Sequence, residues 1–342
     1  MPPKLLLTGA TGFIGYYLVH TLAAAGRSFA ALVRPTSDTA TLQELGDRCT
    51  VIEGDLTDPE SLLDALEGID TVIHAAACVS YQSEDEDRLL KVNAGGTANL
   101  VNMMLEAGSR RLVYLSSVAA LNRVDGGQVI QLTDRWPLEK PNTPYARSKF
   151  AAEREVWRGQ AEGLSVAAVY PAIVLGAGDW RGTNTPALWR RAVSGATVYP
   201  EGTAGFVDVR DVAAAVLATL DRDLDRDRFL LAAENLSWQQ VLTAIAESVG
   251  TKAPSYGMPA WQSALAWPLE RVRARLTGER PLITQATHRN VQANFRYDGS
   301  HYPEVTGRSY ISVARTIKET GQAFRVSQTM GEGLPPTYLP LR

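Results

Sequence analysis

Three side chains at two separate places in the sequence have the types and spacing of a proton-transfer site. Tyr145 and Lys149 are four residues apart, which puts them on one face of a helix, one turn apart. A phenol with a pKa near ~10 exchanges protons poorly at neutral pH, and a neighbouring ammonium lowers that pKa because it favours the phenolate. Ser117, the second of two serines after an apolar run, would hold the oxygen of a carbonyl or an alcohol.

The elements around these residues decide how much weight they carry, because a Tyr-x-x-x-Lys pair alone is a weak signal. The run from Arg111 to Leu115 predicts a fifth strand that ends at the serine pair, and Tyr145 opens the next predicted helix. Parallel sheets bind ligands at the carboxyl ends of their strands. This position favours a reacting site over the alternative, an ordinary exposed helix face.

The segment from Lys4 to Gly15, KLLLTGATGFIG, predicts a strand, a glycine turn and a helix. Glycines three apart provide a tight turn, a close approach of backbone to a pyrophosphate and close packing of helix on strand. The helix N-terminus would attract the phosphates of a dinucleotide; a glycine turn that binds nothing is the alternative. The residues expected at the cofactor are Thr8, Gly9, Thr11, Gly12, Phe13, Ile14 and Gly15.

With a nicotinamide nucleotide on this turn, Tyr145 would exchange its proton with a substrate while a hydride moves to or from the nicotinamide. Arg34 follows the second predicted strand directly. At that place an acidic residue suits a ribose 2′-hydroxyl and an arginine suits a 2′-phosphate, so Arg34 predicts NADP rather than NAD. A solvated surface arginine is the alternative. Asp55, after the third predicted strand, is either an acceptor for the adenine amino group or a turn residue.

A histidine and an acidic run resemble parts of catalytic or metal sites, but we interpret both as structural. His74 lies inside the fourth predicted strand, so we expect a packed histidine. The acidic run from Ser83 to Arg88 is expected to begin a helix, with Ser83 as its cap and carboxylates at the positive end of the helix dipole. No metal site is predicted.

The second half of the chain is less regular. A sixth strand is predicted over Val166 to Tyr170, followed by a Pro- and Gly-rich loop to Asp179. Helices are predicted from Ser237 to Val249 and from Trp261 to Leu276, and the last twenty or so residues are expected to be irregular. Six aromatic residues are expected either to surround an apolar substrate or to be ordinary core residues: Trp136, Trp180, Trp189, Phe206, Tyr256 and Trp261.

Composition excludes several classes of protein. The 342 residues are 45% hydrophobic and carry a net charge of −3, so the chain lacks the basic field that nucleic-acid binding requires. Cys49 and Cys78 are the only cysteines, too few for a disulfide framework. No apolar stretch is long enough for a membrane span. We expect a cytoplasmic enzyme, and a homodimer is left open.

A series of motifs runs along about the first 235 residues. In chain order they are TGATGFIG, GDL at 54–56, HAAA at 74–77, NAGGT at 93–97, SSVAA at 116–120, YARSK, YPAIVLGAGD at 170–179 and FVDVRDVA at 206–213. Together and in this order they resemble the extended short-chain dehydrogenases/reductases. Among these enzymes, Arg34 in LVRPTS and the serine pair without a following threonine resemble the dihydroflavonol reductase and 3β-hydroxysteroid dehydrogenase group.

The resemblance implies roles for matching positions. Ser117, Tyr145 and Lys149 would be the catalytic set. Further cofactor contacts would come from Asp55 and Leu56 at the adenine, Ala75, Ala76 and Ala77 at the central part, and Pro171 and Ile173 at the nicotinamide, with Tyr145 and Lys149 also at the cofactor. The chain departs from the family pattern at Tyr170, where the family usually has arginine, and after about residue 250.

The expected fold is α/β, a doubly wound parallel (Rossmann) sheet with a smaller C-terminal substrate-binding lobe. The nucleotide domain would span 1–170 with returning segments near 206–232, and the lobe 171–205 and 233–342. The expected function is NADPH-dependent reduction of a ketone or aldehyde on a fairly apolar small molecule. The alternatives are an NAD-dependent nucleotide-sugar epimerase or dehydratase, a 3β-hydroxysteroid dehydrogenase, and a non-catalytic NADP sensor.

Overall fold

The structure is a computed structural model. It describes residues 4–121, 126, 128–132, 143–181, 185–221, 227–262, 264, 285–330, 334 and 336–341. The strands are β1 (Leu5–Thr8), β2 (Phe29–Val33), β3 (Cys49–Glu53), β4 (Thr71–His74), β5 (Arg111–Leu115), β6 (Val129–Ile130), β7 (Ser165–Pro171), β8 (Ile173–Leu175), β9 (Val198–Pro200), β10 (Thr203–Asp208), β11 (Arg228–Leu231), β12 (Glu234–Ser237), β13 (Tyr256–Met258) and β14 (Arg296–Tyr297).

The α-helices of the same residues complete the element order. They are α1 (Phe13–Ala24), α2 (Ala40–Gln43), α3 (Pro59–Ala65), α4 (Glu86–Leu89), α5 (Gly96–Ala107), α6 (Pro144–Ala161), α7 (Ala187–Val193), α8 (Val209–Asp221), α9 (Trp238–Ser248), α10 (Gln285–Gln292), α11 (His301–Thr306) and α12 (Val313–Thr329).

Seven of the strands form one parallel sheet in the order β11-β7-β5-β4-β1-β2-β3. The chain reverses its direction of travel across the sheet between β3 and β4, so β1 and β4 flank the switch point at which such sheets bind ligands. The predicted α/β doubly wound sheet is therefore confirmed.

Alternate side chains of the strands face two separate cores, as the period of a β-strand requires. Leu5 and Leu7 belong to the core that includes Leu18 of α1 and Val212 of α8. Leu6 belongs to the other core, which includes side chains of α3, α5 and α6. Helices thus cover both faces, which leaves the ends of the strands as the place for a site.

The predicted helix after β4 forms with an irregular start. Residues 83–85 make a 3-10 turn, α4 follows, and a π-helical stretch, Leu90–Gly95, leads into α5. The prediction that Ser83 caps the helix is wrong, because Ser83 lies inside the 3-10 turn and the residue before α4 is Asp85. Within the described ranges, no group of three His, Cys, Asp or Glu side chains could hold a metal ion.

Within the described residues, the remaining strands form three smaller sheets. β12, β10 and β8 form a three-stranded sheet, β13 pairs with β9, and β14 pairs with β6. The helix predicted from Ser237 is confirmed as α9, and Ser237 and Gln240 form its capping box. The predicted helix from Trp261 to Leu276 lies almost entirely outside the described residues, as does Trp136. No helix in the described part is long and apolar enough to cross a bilayer.

The end of the chain is more ordered than predicted. α12 continues to Thr329, and residues 336–341 pack against α1. The Tyr338 ring stacks on Tyr16 with centroids 3.3 Å apart, the Leu339 amide donates to the Tyr17 hydroxyl at 3.0 Å, and Leu339 is buried. The prediction of an irregular tail missed these contacts because proline and glycine frequency says nothing about tertiary packing.

Candidate functional site

The glycine turn lies where β1 meets α1, at the carboxyl edge of the sheet. Gly9 has φ +78°, in the left-handed region, and a Cβ there would lie 2.6 Å from the Ala76 amide nitrogen. A Cβ on Gly15 would clash with the Gly9 carbonyl oxygen. Gly9 therefore makes the turn and Gly15 allows the helix to start directly behind it, as the spacing predicted.

Gly12 meets a different environment. It precedes α1, and apart from the Gly9 carbonyl oxygen at 3.3 Å a Cβ there would find nothing within 4 Å. Thr11 and Gly12 are exposed. The first-turn amides of Phe13 and Ile14 lack helical acceptors by position, so they suit an anion. The accessible space in front of the N-terminus of α1 fits the pyrophosphate of a dinucleotide.

A buried hydrogen-bond network supports the turn from beneath. The Thr8 hydroxyl lies 2.8 Å from Nδ1 of His74, Nε2 of His74 lies 3.0 Å from the Thr97 hydroxyl, and the Ala76 amide donates to Thr8 Oγ1 at 3.2 Å. Burial lowers the pKa of His74 to about 3, with the nearby Lys149 charge contributing. His74 is thus the neutral, packed histidine that its place inside a strand predicted.

The segment Ala75 to Ala77 passes directly over the glycine turn, since the Ala75 and Ala76 backbone occupies the space that a Gly9 side chain would need. Ala75 and Ala76 are half-buried and Ala77 is exposed. Their small side chains leave the backbone accessible beside the turn. This arrangement suits the central part of a cofactor, as the resemblance implied.

The expected adenosine end lies after β2 and β3. Arg34 is exposed at the end of β2, and its charge helps to lower the pKa of Asp55. The larger cause of that lowered pKa is Thr57, whose amide and hydroxyl donate to Asp55 Oδ1 at 2.7 and 2.8 Å. Asp55 is thus a turn residue with Arg34 in its neighbourhood. Leu56 is buried against Gly96. A Cβ added at Gly96 would lie 2.8 Å from the Cβ of Leu56.

The predicted catalytic set comes together at the carboxyl end of β5. Thr143 caps α6 by accepting from the Ala146 amide, and α6 carries Tyr145 and Lys149 one turn apart. Ser117 hydrogen-bonds to the Tyr145 phenol and accepts from the Ala119 amide at 3.1 Å. The Lys149 ammonium donates to the Leu115 carbonyl at 2.8 Å and lies 4.3 Å from the centroid of the Tyr114 ring.

The electrostatics of the set differ from the prediction, because the pKa of Tyr145 is raised and not lowered. Burial raises the pKa of Tyr145, the nearby Tyr81 adds to that effect, and the hydrogen bond from Ser117 acts in the opposite direction. Lys149 is itself almost fully buried at 2% exposure, and burial lowers its pKa to about 7. Sequence reasoning treated the ammonium as a fixed charge and did not allow for the cost of burying it.

Asn93 is a supporting residue. It belongs to the NAGGT motif, and the sequence analysis assigned it no role. Its side chain accepts from the Cys78 amide at 2.7 Å and donates to the Cys78 carbonyl and to Ser148 Oγ, both at 2.9 Å. It therefore ties the loop after β4 to the helix that carries Tyr145. A polar residue on the buried face of a helix was the available signal.

The predicted nicotinamide residues, Pro171 and Ile173, end β7 and begin β8. The chain then runs to Gly178, where a Cβ would meet the Phe13 ring at 2.9 Å. Among the aromatic residues expected near the substrate, Trp180, Trp189 and Phe206 are fully buried in the core. They are core residues because these segments pack against the sheet, whereas Tyr256 and Trp261 are exposed.

Comparison with known proteins agrees with this geometry. Residues 5–232 match the NAD dependent epimerase/dehydratase family. The chain is 34% identical to sterol demethylase protein B of Methylococcus capsulatus over 74% of its length and 77% of that protein. It is 32% identical to a putative dihydroflavonol 4-reductase of Synechocystis over 93% and 94% of the two chains.

A solved structure shares the fold over nearly the whole chain. The crystal structure of gox2253 superposes with a TM-score of 0.80 at 28% identity, covering 94% of this chain and 98% of that one. The chain therefore belongs to the NAD-dependent epimerase/dehydratase family, the extended short-chain dehydrogenases/reductases, and it uses an NAD(P) nucleotide on a small-molecule substrate.

Proposed function

We propose that the protein is an NADPH-dependent reductase that acts on a ketone or aldehyde of a fairly apolar small molecule. The observation that carries the proposal is the contact between the Ser117 hydroxyl and the Tyr145 phenol, one helical turn from Lys149, at the carboxyl end of β5. A carbonyl oxygen placed between the two hydroxyls would accept a hydrogen bond from each.

Within this proposal each side chain has a separate task. When bound, NADPH supplies the hydride. Tyr145 gives its proton to the carbonyl oxygen as that oxygen becomes an alkoxide, and Ser117 stabilises the same oxygen by a hydrogen bond. Lys149 offers a positive charge that stabilises the phenolate that remains. The raised pKa of Tyr145 in the protein alone keeps the phenol protonated, which suits a donor in the direction of reduction.

The preference for NADPH rests on Arg34. It follows β2 directly, is exposed, and acts on the charge of Asp55, the residue expected at the adenine. A guanidinium suits a 2′-phosphate, because it donates hydrogen bonds in a planar fork.

We further propose that segments 171–205 and 233–342 form the substrate-binding lobe. We also propose that the protein works in the cytoplasm.

The apolar character of the substrate rests on the loop after β4. Tyr81 packs edge-on against Tyr145 with ring centroids 5.9 Å apart, and it is 40% exposed. Val79 is 46% exposed on the same loop. An exposed aromatic ring beside a reacting phenol, on a loop that also exposes a valine, favours a substrate with a hydrophobic body. The names of the two curated relatives, a sterol-processing protein and a dihydroflavonol reductase, point to the same class of substrate.

The experiment is NADPH oxidation by the purified protein with a panel of cyclic and aromatic ketones and aldehydes, run beside NADH. We expect turnover of apolar carbonyls with a preference for NADPH. An epimerase or dehydratase, which the family description favours as the second candidate, would instead purify with NAD bound and convert nucleotide sugars without net consumption of cofactor. Binding of NADPH without turnover of any member of the panel would indicate a sensor.

A further inference from the structure

A buried carboxylate lies behind the proposed catalytic set, one helical turn beyond Lys149. Glu153 is 4% exposed on α6. It accepts hydrogen bonds from Ser116 Oγ at 2.8 Å, from the Tyr170 hydroxyl at 2.7 Å and from Trp157 Nε1 at 3.1 Å. The indole of Trp157 can only donate, and the hydroxyls of Ser116 and Tyr170 can each donate to a carboxylate.

These bonds join the elements that carry the site. Ser116 is the neighbour of Ser117 at the end of β5, and Tyr170 lies next to Pro171 at the end of β7. Both strand ends are thereby held against α6, the helix of Tyr145 and Lys149. The two serines of the pair thus divide their work, since Ser117 faces the phenol and Ser116 faces Glu153.

Within the part of the chain that the structure describes, the other ionisable groups around Lys149 supply no buried negative charge, and burial raises the pKa of Tyr145 on the same helix face. His74 on β4 is neutral because burial lowers its pKa to about 3, and burial raises the pKa of both Tyr114 on β5 and Tyr170 on β7. The π-helical stretch contributes Asn93 and the exposed Lys91, and Glu86 of α4 is occupied by a 2.6 Å ion pair with Arg147. Glu153 raises the pKa of Lys149, which burial lowers to about 7.

We propose that Glu153 is a positioning residue whose negative charge favours the protonated form of Lys149, while the three hydrogen bonds to Glu153 together hold that charge in place. The proposal deepens the proposed function and rests on it, since Lys149 is the group through which Glu153 acts. Without this nearby anion, the buried ammonium of Lys149 would lose its proton at a lower pH.

The direct test is an NMR titration of the lysine side chains, labelled at Cε, in the intact protein. The chain has six lysines, so Lys149 can be assigned by its loss in Lys149→Met. In Glu153→Gln we expect the midpoint of Lys149 to fall by at least about one pH unit. Glu153→Met, an apolar side chain of similar length, removes the same charge and is expected to give the same fall.

Two matched controls keep the charge. Ser116→Ala and Tyr170→Phe each remove one hydrogen bond to Glu153, and we expect the Lys149 midpoint to stay within a few tenths of a pH unit of the unmodified protein. An unchanged midpoint in a folded Glu153→Gln or Glu153→Met protein would overturn the proposal, and so would equal falls in the two controls, which would indicate a structural role only.

Turnover provides the second readout. If the ammonium is required, kcat/KM falls as pH rises through the pKa of Lys149, and loss of Glu153 moves this alkaline limb to lower pH by the same amount as the NMR midpoint. The titration needs neither substrate nor cofactor. A protein that reduced no carbonyl compound would refute the proposed function and still report whether Glu153 governs Lys149.

Discussion

At the scale of single residues, the site depends on charges and hydrogen bonds whose partners can be named. Tyr145, Ser117 and Lys149 were identified from residue type and order, and the fold brings them together. Their surroundings could not be identified in that way, because burial of Lys149 and its neighbour Glu153 depends on which helix face meets the sheet. The sequence therefore predicts which residues form the site more reliably than it predicts their protonation states.

Arg34 gives the first prediction at this scale. Arg34→Ala is expected to weaken NADPH binding by about 10- to 100-fold, the range for a lost hydrogen bond to a charged group, and to leave NADH binding nearly unchanged. Titration of each nucleotide by fluorescence or calorimetry measures the two constants. Arg48→Ala, another exposed arginine near β3, is the control. Equal losses for NADPH and NADH would remove the phosphate role from Arg34.

Asn93 gives the second prediction at the scale of single residues. Asn93→Ala leaves the amide and carbonyl of Cys78 without their partner, and a buried unsatisfied group costs about 1–3 kcal/mol. We expect the free energy of unfolding in urea to fall by that amount. Glu106→Ala, at an exposed polar position of α5, should change it by less than about 0.5 kcal/mol. A loss no larger than that of the control would show that the loop after β4 does not depend on Asn93.

At the scale of elements, the strand, turn and helix at the start of the chain were predictable because each glycine has a local reason. The sheet followed from alternating apolar strands and helices. The π-helical stretch before α5 was not predictable from local pattern, because its Asn93 contacts residues distant in sequence, Cys78 in the loop after β4 and Ser148 on α6. The local sequence pattern thus predicts that a helix or strand forms, whereas tertiary contacts decide its exact backbone geometry.

Gly9 tests the glycine turn as an element. Gly9→Ala adds a methyl group 2.6 Å from the Ala76 amide nitrogen at a positive φ, so both backbone strain and steric clash oppose it. Gly46→Ala is a matched control, because Gly46 also has a positive φ, +53°, with nothing within 4 Å; it should cost about 1–2 kcal/mol, the strain alone. We expect Gly9→Ala to cost more in urea unfolding and to weaken NADPH binding. Equal costs and unchanged binding would contradict the close approach of the Ala76 segment.

At the scale of the whole molecule, the C-terminal residues close the structure over its first helix. Residues 336–341 reach α1 through Tyr338 and Leu339, and Thr337 accepts from Trp180 Nε1 at 3.1 Å. Sequence analysis could not anticipate this return, since the contacts join positions more than 150 residues apart and a short apolar segment carries no periodicity. The C-terminal segment thus supports α1, the helix that follows the glycine turn.

Leu339 tests this closure. It is 4% exposed, whereas Leu341 is 38% exposed. Leu339→Ala is expected to lower the free energy of unfolding by about 2–4 kcal/mol through lost burial and a cavity, and Leu341→Ala by less than about 0.5 kcal/mol. Urea denaturation of both variants makes the comparison. Similar small effects would mean that the terminal segment does not stabilise α1.

The central claim is that Tyr145 donates the proton during carbonyl reduction, and rapid mixing of Tyr145→Phe with NADPH and a substrate ketone tests it most directly. The ring and its packing remain and only the hydroxyl is lost. We expect NADPH to bind with unchanged affinity and the single-turnover rate of NADPH oxidation to fall by about 10²- to 10⁴-fold. A rate equal to that of the unmodified protein would contradict the account.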